Sequence, residues 1–191
     1  MIKPSRNPYG YRNLLAHKKA EELQLVLSEY ISSHFVPFKP LASLADQMQR
    51  SARSTKQNIT EGWKRNSTNE YYQFLGYAIA SNAELEEDCT DICRGVYAAK
   101  GIKGEKWGKW EGEEIESIPF YPLDPLLPLA VQLKLRTKEL NFLLAQLQTS
   151  LVSKMKKEKT LSAADRMQAS QQKETASRNE LQVYLQKRGW D

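Results

Sequence analysis

Several things are scarce in this sequence, and each scarcity excludes a class of protein. Two cysteines in 191 residues, Cys89 and Cys93, are too few for a disulfide framework, and a reducing compartment is the simpler setting. The two histidines, His17 and His34, stand in opposite regions of one predicted helix, so neither joins the cysteines in an evident zinc set. No run approaches the roughly 20 apolar residues that a membrane span needs. Met1-Ile2-Lys3-Pro4-Ser5-Arg6 leads into no apolar signal core. Nowhere do apolar and polar residues alternate as they do in a half-buried strand. These absences predict an all-α, cytoplasmic protein.

What is present is helical periodicity and uneven charge. The net charge of +5 is distributed in blocks. Residues 1–66 carry 11 Lys/Arg against 5 Asp/Glu, residues 67–149 carry 8 against 13, and residues 150–191 carry 9 against 5. A basic entry and tail thus flank an acidic middle. That arrangement suits an anionic ligand or the meeting of one subunit with another.

Four long helices are expected. The first spans about residues 13–35, with Leu14, Leu15, Leu23, Leu27, Tyr30, Ile31 and His34 at three- and four-residue steps. Val36-Pro37-Phe38-Lys39-Pro40 ends it. The second spans about 41–63. At roughly 100° per residue, Leu41, Leu44, Met48, Ala52, Thr55 and Ile59 share one face, while Arg50, Arg53, Lys56, Gln57, Thr60 and Lys64 lie roughly opposite. Ser51, Ser54, Asn58 and Glu61 make a third, small polar strip. The third helix starts near Ser67, where Ser67 and Glu70 have the spacing of a capping box, and runs to about Ala99.

A long connection over residues 101–124 carries Trp107 and Trp110 among lysines. The fourth helix, about 125–152, has leucines around much of its circumference, which predicts burial on more than one side or a subunit interface. Lys154 to Lys159 reads as a basic linker, and residues 161–187 as a polar fifth helix. The expected architecture is an up-down four-helix bundle over 11–152 with a C-terminal helical extension over 153–191.

The second and third helices carry a resemblance. The stretch Arg50-Ser51-Ala52-Arg53-Ser54-Thr55-Lys56-Gln57-Asn58-Ile59-Thr60-Glu61-Gly62-Trp63-Lys64-Arg65 resembles the signature of four-helix-bundle proteins encoded in 23S ribosomal RNA intervening sequences. The accessory proteins of diversity-generating retroelements belong to the same group. That signature pairs a serine with N-I-x-E-G, an aromatic and a basic residue, here Ser54, Asn58, Ile59, Glu61, Gly62, Trp63 and Arg65. Glu70-Tyr71-Tyr72-Gln73-Phe74-Leu75, with Ala78, Ser81 and Glu84-Leu85-Glu86, is similar to the family's third helix, and Tyr11-Arg12-Asn13-Leu14 with Lys18-Lys19-Ala20 to its first. The chain departs from the pattern at Arg53, Lys56 and Gln57, where the family has apolar or small residues. The segment Tyr184-Leu185-Gln186-Lys187-Arg188-Gly189-Trp190 looks like the extension of a suffix-bearing branch. The resemblance implies a non-enzymatic bundle, often a homopentameric ring, with nucleic acid or a reverse transcriptase as partner and no cofactor.

From the residues themselves, Arg50, Arg53, Lys56, Lys64 and Arg65, with Lys18 and Lys19 beside them, are the candidate phosphate contacts, weighed against an ordinary solvated helix face. Ser54, Asn58 and Glu61 read as a structural polar seam. A catalytic role for that serine lacks a nearby base. Cys89 and Cys93 read as small buried hydrophobes rather than zinc ligands. Trp107 and Trp110 either stack on unpaired bases or pin their loop to the bundle. Two functions are expected in competition. One is an oligomeric bundle binding RNA, or less readily DNA. The other is a scaffold that presents the tryptophan loop and the tail to a protein.

Overall fold

A computed structural model of the chain describes residues 7–35, 39–97, 112–160 and 162–186. Among them there is no strand. A 3-10 turn, Gly10–Asn13, leads into α1 (Leu15–His34), α2 (Lys39–Lys64), α3 (Thr68–Cys93), the short α4 (Gly112–Ser117), α5 (Leu129–Thr160) and α6 (Ala163–Gln186).

The four most extensive helix packings among the described residues form a closed circuit: α1 lies on α2 and α5, and α3 lies on α2 and α5. Cross-contacts show the direction of each pair. On the α2–α3 side, Gln47 meets Asp88 and Ser51 meets Glu84, while Trp63 meets Tyr71. On the α3–α5 side, Thr90 meets Lys134 and Tyr72 meets Gln148. In both pairs early residues of one helix face late residues of the other, so the two helices of each pair run in opposite directions.

The helix boundaries follow local chemistry. Ser67 is extended (φ −119°, ψ 147°) and its Oγ accepts from the Glu70 amide, satisfying one of the otherwise unpaired donors of the first turn. The Ser67 hydroxyl in turn donates to the Glu70 carboxylate at 2.8 Å. That differs from the reciprocal box, in which the carboxylate would reach the capping residue's amide.

At its other end α3 stops at Cys93 rather than Ala99. Gly95 takes a left-handed φ of 76°, its amide donates to the Ile92 carbonyl, and the Val96 amide donates to that of Asp91. This is the glycine-terminated C-cap that closes many helices. Two other expectations on length also change. α5 begins at Leu129, after Pro125 and Pro128, because proline suits a helix entrance and not its interior. It then continues to Thr160, so Lys154–Lys159 is helix and not linker. Lysine, methionine and glutamate are good helix formers, and cations suit a helix C-terminus.

The core is one contiguous cluster. All six residues expected on the apolar face of α2 are buried: Leu41, Leu44, Met48, Ala52, Thr55 and Ile59. Leu15, on the expected repeat of the first helix, and Leu126, within the expected fourth helix, are instead exposed. α5 buries Leu133, Leu135, Leu140 and Leu144 because it has α1, α3 and the short α4 around it. Cys89 and Cys93 are buried free thiols. Burial pushes both thiols up, Cys93 to about 11, so they stay protonated and pack as small apolar groups.

Within the stretch expected to be a loop, α4 brings Ile115 into the core and fastens it with charge. The buried Lys134 ammonium donates to Thr90 Oγ1 at 2.9 Å and to Glu116 Oε1 at 2.5 Å. Lys138 donates to Glu116 Oε2 at 2.8 Å. The two lysines hold the Glu116 carboxyl down at about 2 against an ordinary 4.5.

The corner between α2 and α3 depends on a glycine. A Cβ added at Gly62 would lie 2.7 Å from the Tyr71 ring and 2.8 Å from Phe74 Cβ, closer than carbon atoms pack. Beside it, Trp63 reaches the other way. Its Nε1 donates to the Asn7 carbonyl at 3.0 Å, and a Cβ on Gly10 would stand 2.6 Å from its ring. The N-I-x-E-G-W stretch is thus a packing corner: Ile59 enters the core, Gly62 admits α3, and Trp63 seats the segment before α1.

Gly62→Ala should destabilise the protein by about 1–3 kcal/mol through overpacking. A denaturation midpoint equal to wild type would show that the corner relaxes freely. A carboxyl depressed from 4.5 to about 2 contributes stability above pH 4.5 that is lost as pH falls toward 2. Glu116→Gln should therefore cost about 1–2 kcal/mol at neutral pH, less than a fully buried pair because Glu116 is half exposed. Its stability should also lack that acid-range decline. Parallel wild-type and variant profiles between pH 5 and 2 would contradict the assignment.

Candidate nucleic-acid interface

With its core face fixed inward, α2 presents cations along its remaining surface, and the structure divides them. Arg50 and Arg53 are exposed and line an open groove between α1 and α2, with Gln24 and Ser28 on the α1 wall and Asp46 and Gln49 beside them. The groove has a volume of about 610 Å³, and the buried Leu27 forms part of its lining. Arg50 is 2.8 Å from Asp46, one turn away and likewise exposed. Such a pair holds the guanidinium only weakly, at about 0.3–0.5 kcal/mol. Arg53 has no ion pair among the described residues.

Further along, Lys56 is half-buried and faces α1. Its charge is felt at His17, whose pKa is lowered first by burial and then by Lys56 and Arg12, against an opposing pull from Glu21. The imidazole is buried, with its ring centroid 4.9 Å from that of Tyr11. Lys64 lies beyond, its Nζ 5.9 Å from the centre of the Tyr11 ring. Arg50, Arg53, Lys56 and Lys64 therefore follow one side of α2.

Arg65 does not share that side. Its guanidinium lies 4.4 Å over the Phe74 ring of α3 and 3.6 Å from the Glu61 carboxylate. Lys18 is exposed, whereas Lys19 is occupied, 3.0 Å from Glu139 and 3.8 Å from Glu22.

Ser54 and Asn58 are half-buried and Glu61 is exposed. The hydrogen bonds that cross from α2 to α3 come from elsewhere on the same flank. Gln47 Nε2 donates to both Asp88 oxygens at 3.2 Å, and the buried Ser51 donates to Glu84 at 3.3 Å. Burial pushes the Asp88 carboxyl up to about 6, with Asp91 and Glu84 adding to the rise and the Gln47 bond opposing it. Gln47 and Ser51 are four apart and border the core positions Met48 and Ala52. That position at the edge of the apolar face was the signal available in the sequence.

Two residues that sequence periodicity did not single out join the basic side. Tyr9 is 57% exposed, which leaves most of its ring accessible. Arg12 places its guanidinium 5.1 Å from the Tyr9 ring centre and 5.9 Å from that of Tyr11. Both precede α1, where no helical repeat exists to reveal a face. Trp107 and Trp110 lie outside the described residues. Among the described residues, no group of three or more His, Cys, Asp or Glu side chains is placed to hold a metal ion. No helix among them is long and apolar enough to cross a membrane.

Comparison with known proteins adds one match. No curated protein matches the chain, and no solved structure matches it. A model of the 23S rRNA-intervening sequence protein family matches residues 12–100. The matched stretch contains α1, α2 and α3, and with them the groove, the packing corner and the Gln47–Asp88 contact, while α5 and α6 lie beyond it.

Proposed function

We propose that this protein is a non-enzymatic, oligomeric nucleic-acid-binding protein of the cytoplasm, with RNA as the preferred ligand. In this reading residues 11–152 form an up-down four-helix bundle and residues 153–191 a helical extension. The observation that carries it is the series Arg50, Arg53, Lys56 and Lys64 along the α1–α2 side, three of them without an ion pair among the described residues. From Arg50 to Lys64 is 14 residues of helix, about 21 Å, a length over which several phosphates of one strand can be met. The match to the 23S rRNA-intervening sequence protein family supports RNA over DNA. The short 35–38 and 65–67 connections support the up-down order, since neighbours joined so tightly must reverse direction.

A homo-oligomer, pentameric by the resemblance of the second and third helices, multiplies the patch. A modest affinity per subunit then becomes useful through avidity. The catalytic alternative has no positioned nucleophile and base among Ser54, Asn58 and Glu61.

One observation favours a second reading. α6 shows Met167 and Val183 at its surface, 67% and 50% exposed, and among the described residues makes no extensive packing with the other helices. A helix of that kind suits a protein partner, and the likeness to retroelement accessory proteins would make a reverse transcriptase one such partner.

Arg50→Glu with Arg53→Glu should leave the fold intact, since both side chains project from the surface, and should abolish RNA binding in a filter or anisotropy assay. Wild-type binding should fall by roughly a hundredfold between 50 and 200 mM salt if about five phosphates are neutralised. Undiminished affinity in the double variant would remove the groove from the reading. Deleting residues 161–191, which leaves α5 whole, should spare RNA binding. Loss of a protein partner on the same deletion, with no RNA affinity in either form, would favour the scaffold.

A further inference from the structure

Resting on the nucleic-acid reading, we infer that the α1–α2 groove takes an unpaired RNA strand, and that Tyr9 at its end is a platform on which one base stacks. A single strand differs from a duplex in offering base faces as well as phosphates. A site built for it combines an accessible aromatic ring with a line of cations. A surface for duplex needs only the cations. The structure has both parts, in sequence along one edge of the molecule.

The aromatic part is held in place. The Tyr9 amide donates to Asn7 Oδ1 at 2.9 Å, and the Gly10 amide donates to the Asn7 carbonyl at 3.0 Å. That same carbonyl accepts from Trp63 Nε1, while Gly10 packs so closely on the indole that a side chain would not fit. The backbone beneath Tyr9 is therefore anchored to α2, yet its ring is more than half exposed. A tyrosine left at the surface by poor packing would have no such fixed support. Arg12, 5.1 Å from the ring centre, adds a guanidinium plane that can also lie against a base.

The cationic part starts from this platform. Lys64 stands near Tyr11, and Lys56 and Arg12 both act on His17 between the two helices. Arg53 and Arg50 then continue into the open groove. The walls there carry Gln24 and Gln49, whose amides can donate to and accept from base edges. The line of cations from Arg50 to Lys64, about 21 Å along α2, corresponds to about six nucleotides at the 3.4 Å spacing of a stacked strand.

The test uses the full chain at low salt and fluorescence anisotropy with two labelled RNAs: an unstructured 12-nucleotide oligouridine and a duplex of equal length. The wild type should bind the single strand at least tenfold more tightly. Tyr9→Ala should weaken that binding by roughly tenfold and leave duplex binding unchanged. Tyr9→Phe should restore it, because stacking needs the ring and not the hydroxyl. Circular dichroism of the exposed-site variants should match wild type. Equal affinity for the two RNAs with no effect of Tyr9→Ala, but loss in Arg50→Glu with Arg53→Glu, would overturn the stacking site and leave nucleic-acid binding standing. A loss in Tyr9→Ala that Tyr9→Phe does not repair would likewise overturn stacking. Failure of the wild type to bind either RNA would overturn both.

Discussion

At Gly62, α2 meets the Tyr71 ring and the Phe74 side chain with no room for a methyl group. Much of the rest follows from that approach. It sets how closely α3 can lie against α2, and so where Gln47 and Ser51 fall relative to Asp88 and Glu84. It fixes the rotation of the last turn of α2, which sends Ile59 inward and Trp63 toward the Asn7–Gly10 segment. Trp63 in turn decides where Tyr9, Tyr11 and Arg12 sit before α1 begins. One glycine at a helix end thereby links the core to the most exposed aromatic of the basic side.

Much of this was readable from side-chain periodicity, and what was missed had other causes. The apolar face of α2 was legible because its strip is narrow and interrupted by nothing. Leu15 is exposed because it lies about 100° around the helix from Ala16, which shares the buried face with Ala20, Leu23 and Leu27. The end of α3 rested on one backbone angle at Gly95, and glycine alone does not reveal which conformation it takes. The charge density of Lys154–Lys159 suits a linker, yet the same residues are good helix formers, and α5 runs through them. The docking of α4 was hidden because it rests on Ile115 and Glu116 meeting two lysines about twenty residues away.

The candidate interface was partly legible for similar reasons. Arg50, Arg53, Lys56 and Lys64 share a side of one helix, so spacing brings them together. Arg65 falls on the other side, a single residue past Lys64, and is drawn to Phe74 and Glu61. Of the polar flank Ser51, Ser54, Asn58 and Glu61, Ser51 bonds across to Glu84 of α3. Both oxygens of Asp88 are bonded by Gln47, whose partner is 41 positions away and has no local signature. The acidic middle of the sequence is likewise divided by the fold. Glu116 is stabilised as an anion by lysines, while Asp88, two-fold bonded to an amide, resists ionisation through burial.

The length of α5 carries a consequence of its own. Its last core residue is Leu151, and the helix runs on to Thr160, about 13 Å of rise past the end of the packed interior. Beyond that point no described side chain is fully buried, and the backbone leans more on intrinsic propensity and on its own hydrogen bonds. Helix of this sort frays segment by segment, whereas the core is lost as a unit. The molecule therefore combines two kinds of helix that differ in cooperativity: an interior that melts together, and a lysine-rich end of α5 whose order depends more on helix propensity and on temperature.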